Sequence, residues 1–360
     1  MPSIPLEQAL FHRPDRESPR LVARSDGFNP VWLAEAQRII FGFGDRIAGM
    51  ACPLTVFALP ITNKHVAVVR VMDEKPEAFA SGLRLMGLHF HFLVVERKAY
   101  ETWIRDPFML AEKFPPAWDA KDSLPALELP EGAFKARTVE QVQGVLKRIK
   151  AAALREGEDP EAPDFQRTVE NSESPALLGG AQILVDGGRL VFERPEGDLR
   201  MVSGLWLLLP EMTRCRLWPT SFAFSQELEF DVLVAPRLDD LVLESYTTED
   251  QASGYPDGTY ELALQHAAES GSQKDLDTVF ARRDSRQTIR LALLLLILVS
   301  AIVLLSRWLD FGTPDPPPLT VHQQQAAAAT GIVAVGDPWS ALGMIVHGKE
   351  VWKGEADGKK

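Results

Sequence analysis

Residues 53–71 read PLTVFALPITNKHVAVVRV, two runs of β-branched, aromatic and aliphatic residues either side of ITN. Residues of that kind fit a pleated, half-buried surface, so the stretch predicts two strands joined by a tight turn. A third such run, LHFHFLVV, follows at 88–95. Upstream, QALFHR (8–13) and RLVARSD (20–26) are strand candidates separated by the turn-rich PDRESP. Helices interrupt these strands. NPVWLAEAQRIIFGFG (29–44) has Asn29 as N-cap, Pro30 in the first helical position, and Gly42 and Gly44 to end it. DPFMLAEKF (106–114) predicts a short helix. RTVEQVQGVLKRIKAAALREG (137–157) is the clearest one, with Thr138 and Gln141 as a capping box and Val139, Val142, Leu146 and Ile149 as one apolar stripe. Residues 1–155 therefore read as an α+β domain.

The acidic, proline-bearing segment 156–173 has the composition of a linker. A second α+β domain is expected at 174–285. SPALLGGAQILV (174–185) predicts a helix capped by Ser174 with Pro175 at its start, a reading that Gly179 and Gly180 weaken; the rival is a hairpin turning at DGG (186–188). RLVFERP, SFAFS and FDVLVAP read as strands. DLRMVSGLWLLLP, EMTRCRLW, TYELALQHAAES and SQKDLDTVFARR read as helices.

RLALLLLILVSAIVLLSRW (290–308) stands apart. Leu291 to Ser306 is sixteen residues with no charge, a helical rise of roughly 24 Å against a hydrocarbon core of ~30 Å. Ile289 and Trp308 extend it, and Arg290 and Arg307 can snorkel. The expectation is a single transmembrane helix over 289–309, with a buried helix as the alternative. Lys274, Arg282, Arg283, Arg286 and Arg290 precede the run, and only Arg307 follows it before Asp310 and Asp315. That asymmetry places the N-terminal side in the cytoplasm and 310–360 as an extracytoplasmic tail. The first twenty residues show no basic-then-apolar run of a cleaved signal. The lipid bilayer, met through Leu291 to Ser306, is thus the first expected partner.

A formal charge of -12 argues against non-specific nucleic-acid binding, which needs basic surface to displace counterions. The only cysteines, Cys52 and Cys215, are far apart and read as buried thiols. His89 and His91 lie two apart, so on a strand they share a face and can present two imidazoles to a metal, or simply make that face half polar. Cys52, His65 and Asp45 are the residue types of a thiol nucleophile site. Arg214 and Arg216 suit an anionic ligand or helix-end salt bridges. Asp231 fits the solvent side of its strand. The sequence contains no GxxxxGK[ST], HExxH or GxSxG, so no cofactor is expected.

Two blocks resemble a known family. DGFNPVWLAEAQRI (26–39), CPLTVFALP (52–60) with HVAVVRV (65–71), and DPFMLAEKFPPAWDA (106–120) resemble the N-terminal domain of bacterial GTPase-associated proteins from predicted conflict-defence systems. LLGGAQILVDGGRLVFERP (177–195) and GLWLLLPEMTRCRLWPTSFAFS (204–225) are similar to their middle domain. The resemblance covers roughly residues 5 to 240. It implies an adaptor working beside a GTPase without a nucleotide site or catalytic residues of its own. The alternative is a membrane-tethered enzyme, metal- or thiol-dependent, built on His89, His91 and Cys52.

Overall fold

The structure, a computed structural model, describes residues 3–15, 17–73, 87–153, 174–255, 258–281 and 285–310. The expected linker, Arg282 and Arg283, and the tail beyond Asp310 lie outside the described residues.

The architecture is mixed α/β. Strands β1 (Ser3–Pro14) and β2 (Arg20–Arg24) are antiparallel, Ala9 opposite Arg24. Helix α1 (Pro30–Gly42) starts at its cap, Asn29 Oδ1 accepting from the Val31 N–H at 2.9 Å. The quoted run folds as the hairpin expected, β3 (Thr55–Thr62) against β4 (His65–Asp73), with β5 (Gly87–Glu96) antiparallel to β4. With β6 (Asp122–Ser123) and β7 (Leu127–Pro130) they make a seven-stranded sheet in the order β3-β4-β5-β1-β2-β6, β7 pairing with β1.

Helix α2 (Pro107–Lys113) is capped by Asp106, and α3 (Val139–Ala153) by the expected box, Thr138 and Gln141 exchanging side-chain-to-backbone bonds of 3.0 and 3.4 Å. Helix α4 (Ala176–Asp186) settles the doubt over 174–188. Gly187 ends it in the left-handed region (φ 90°), and DGG turns no hairpin. Strand β8 (Leu190–Glu193), helices α5 (Leu199–Leu208) and α6 (Glu211–Arg214), and strand β9 (Val232–Ala235) come next, β8 and β9 parallel. Helix α7 (Asp240–Ser245), strand β10 (Thr247–Thr248) beside β8, and helices α8 (Glu249–Ser253), α9 (Thr259–Ser270) and α10 (Gln273–Phe280) complete this part. SFAFS is not a strand. Its flank and core bridge two sheet edges instead, Ser221 N–H to Val56 O at 3.0 Å, and Thr220 and Ala223 N–H to Val232 and Val234 O at 2.8 Å.

Two apolar clusters follow from the pleat. On one sheet face Ala9, Phe11, Phe57, Val69, Phe90 and Phe92 join Trp32 and Ile39 of α1, and also Val191, Phe222 and Leu233. On the other, Leu6, Val68 and Leu93 join Leu146, Leu190, Trp206 and Leu264. Each cluster draws on both sides of 156–173, and Met1–Leu291 is one compact unit. The expected division there does not separate two cores.

Helix α11 (Ser285–Asp310) leads into a second unit, Ala292–Lys360. Within α11, side chains are described for 293–306. Every large apolar one is exposed, Leu294 by 66 % and Leu304 by 69 %. Among the described residues no helix is long and apolar enough to cross a membrane, so the span expected at 289–309 is not established by them.

Candidate functional site

Alternate residues of a strand share a face. Glu7 of β1 lies opposite Val94 of β5, and Glu96 of β5 lies opposite His65 of β4. All four are on the α1 side of the sheet, in step with Ala9, Phe92 and Ala67 of its apolar cluster. Helix α1 covers that face only as far as Trp32, in its first turn. Beyond Trp32 the face opens into a cleft of about 700 Å³. Glu131, after β7, and Lys98, Thr102 and Trp103 complete its wall.

Trp32 is 8 % exposed, with its ring 4.9 Å from that of His65 and 5.3 Å from Phe28. Trp32 lines the cleft, and its indole N–H has no hydrogen-bond partner among the described residues and is not a buried polar atom. His65 is oriented by Thr62, Nδ1 to Oγ1 at 3.0 Å. Glu7 accepts from the Ser25 hydroxyl at 2.5 Å and lies against Gly27, where a Cβ would come within 2.1 Å of its carboxylate. Glu96 and Glu131 have no ion-pair partner among the described residues. Three carboxylates thus face one ammonium, that of Lys98.

The opposite wall is a π-helix, Tyr100–Ile104, continuing the short helical stretch Arg97–Ala99. Its closing bond runs from Arg105 N–H to Tyr100 O at 2.9 Å. Tyr100 and Ile104 are buried, whereas Trp103 is 43 % exposed toward the cleft. In an α-helix residues three apart share a face, so Trp103 would have followed Tyr100 inward. The wider turn sends it out. Arg105 then sits in the left-handed region (φ 56°), a conformation costly for a side-chain-bearing residue. It is held there from every side. Its carbonyl accepts from Trp206 Nε1 at 3.0 Å, its Nε donates to Glu101 O at 2.9 Å, and its Nη1 pairs with Glu211.

The residues singled out from the sequence go elsewhere. His89 and His91 share a face as expected, opposite that of Phe90 and Phe92. His89 stacks on His12 at 4.8 Å, and His91 is buried with Nε2 at 3.0 Å from Gln8 Oε1. The Trp118 ring lies across both. Burial, and then Arg70, push the His91 imidazole down to about 3. Among the described residues no three His, Cys, Asp or Glu gather as a metal site.

The thiol site does not assemble. Cys52 donates its N–H to Asp73 at the far end of β4, eight residues from His65, or roughly 26 Å along a strand. Asp45 is bound to Arg13, and burial pushes the Cys52 thiol well above its usual range. Arg214 is a structural residue, its Nη2 2.5 Å from Asp106 at the start of α2, while Arg216 is exposed. Asp231 is tied inward rather than left to solvent, accepting from the Trp218 N–H at 2.8 Å.

Sequence reasoning flagged only His65 of the cleft. The others lie far apart in the chain, and only the strand register brings them together. Comparison with protein-family models, curated proteins and solved structures returns no match. The likeness to GTPase-associated proteins rests on the quoted residues alone.

Proposed function

We propose that this chain is a membrane-attached adaptor: its compact unit works in the cytoplasm as a binding module, and Leu291 to Ser306 embeds in lipid. The observation that carries the reading is the exposure of the large apolar side chains from Leu293 to Leu305. Each forgoes roughly 1.5–3 kcal/mol of burial if left in water, and an apolar solvent is the environment that recovers it. The uncharged run continues to Leu291 in the sequence and is bounded by Arg290 and Arg307. The arginines that precede it favour a cytoplasmic N-terminal side. The family resemblance makes a GTPase the first partner to test.

Leu296→Asp with Ile302→Asp should release the protein from membranes, because a charge at a helix centre costs about 2.5–3.5 kcal/mol on insertion scales. Sedimentation with membranes after a high-salt wash would remove the anchor from this reading. Cross-linking in the source cell, followed by assay of the captured material for GTP hydrolysis, tests the partner separately.

A further inference from the structure

We infer that the cleft beside Trp32 takes a cationic side chain, lysine or arginine, from an extended segment of a partner protein. This deepens the adaptor reading by naming the surface that would bind and the chemistry it would bind.

Four observations converge. Glu96 and Glu131 carry charge into the cleft without an ion-pair partner among the described residues, and Glu7 adds a third carboxylate. Lys98 offsets only one of them. Trp103 offers an exposed π face on the opposite wall, and a cation over an indole gains both electrostatics and contact. The Trp32 N–H, on a residue more than nine-tenths buried, has no acceptor among the described residues and is open to solvent, so it can donate to an incoming group. A cation alone engages the carboxylates and Trp103 but leaves that donor to water. A peptide segment brings both, a carbonyl for Trp32 and a basic side chain for the acids.

The wall itself supports a binding role. Placing Trp103 outward requires the π turn and the left-handed Arg105, and three separate contacts hold that residue in place. π turns and strained backbone concentrate at functional positions.

The test uses the full chain in a mild detergent and a fluorescein-labelled peptide of alternating lysine and glycine, read by anisotropy. Detergent makes the measurement independent of membrane attachment, so the anchor and the cleft can fail separately. Binding should weaken as salt rises. Trp103→Ala should weaken it roughly three- to tenfold, and Glu96→Gln with Glu131→Gln by at least as much. Both sites are at the surface, and an unchanged unfolding midpoint would show that the variants fold. The same peptide with norleucine for lysine should not bind. Equal binding of the norleucine peptide, or undiminished binding by the variants, would overturn the proposal. Spermidine binding as tightly as the peptide would overturn the protein-segment part in favour of a small amine. Failure of the lysine peptide to bind at millimolar concentration would overturn the whole.

Discussion

Taking an imidazole out of water favours its neutral form, and His91 shows how far that goes. From β1, Gln8 holds its Nε2 at 3.0 Å while the Gln8 amide nitrogen donates to Pro125 O at 2.7 Å. That leaves the Gln8 oxygen as acceptor and puts the proton of His91 on Nε2. From β4, Arg70 on the same face repels a second proton, and His89 and Trp118 close the remaining sides. The folded chain therefore keeps His91 neutral down to about pH 3, whereas the unfolded chain protonates it near the ordinary value of ~6.5. The contribution is complete above about pH 6.5 and is lost as the pH falls toward 3. Between pH 7 and pH 5 it should cost about 2 kcal/mol. His91→Gln cannot titrate, so its urea midpoint should fall less over that interval than that of the parent chain. Equal falls would show that His91 ionises freely in the fold. The sequence placed this residue on a shared face with His89. It could not show Gln8, Arg70 and Trp118 around it, since those arrive through strand register and a distant loop.

Helix α4 carries two glycines, which in a helix interior cost about 1 kcal/mol each against alanine. Their reason is proximity. A Cβ on Gly179 would stand 2.0 Å from the Ala252 carbonyl oxygen of α8, and one on Gly180 would stand 2.9 Å from Leu190 of β8. The signal that weakened the helical reading of 174–185 is what lets the helix approach its neighbours. Gly179→Ala should destabilise the fold by roughly 1–3 kcal/mol, because a backbone carbonyl cannot step aside and overpacking outweighs the gain in propensity. Gly144 in α3 is the contrast, its nearest neighbour being the end of Arg148 at 3.7 Å. Gly144→Ala should stabilise by up to ~1 kcal/mol. Urea midpoints of opposite sign would confirm the contrast, and two shifts of the same sign would refute it. Elements with local chemistry were legible in the same way: Asn29 and the Thr138–Gln141 box cap where the sequence put them, and the short helix expected over 106–114 forms behind Asp106. SFAFS was misread because its alternating pattern serves hydrogen bonds to two different edges, Val56 on one side and Val232 and Val234 on the other. The π turn at Tyr100 has no composition of its own and left no sign.

At the scale of the whole molecule, local composition misled. The segment 156–173 looks like a linker, yet the residues before and after it share two cores. Trp206, after it, packs with Phe108, before it, at 6.3 Å between rings, and its Nε1 reaches Arg105 O at 3.0 Å. Arg214 meets Asp106 at 2.5 Å, Gln143 Nε2 donates to Ala268 O at 2.7 Å, and Ser221 N–H donates to Val56 O at 3.0 Å. Separating the halves would expose Phe57, Trp206, Phe222 and Tyr260, all of them fully buried. Exposing each large apolar side chain costs roughly 1.5–3 kcal/mol, and the bonds between the halves would be lost as well. Two independent domains joined by a linker would instead meet through a smaller, more polar surface and part once cut. A protease site inserted between Glu156 and Ser174 of the full chain, then cleaved under native conditions, distinguishes the two arrangements. The two pieces should co-elute on gel filtration in detergent and unfold in one transition at the midpoint of the joined, uncut protein or slightly below it. Pieces that separate without denaturant, each keeping its own cooperative unfolding, would restore the boundary that composition alone suggested.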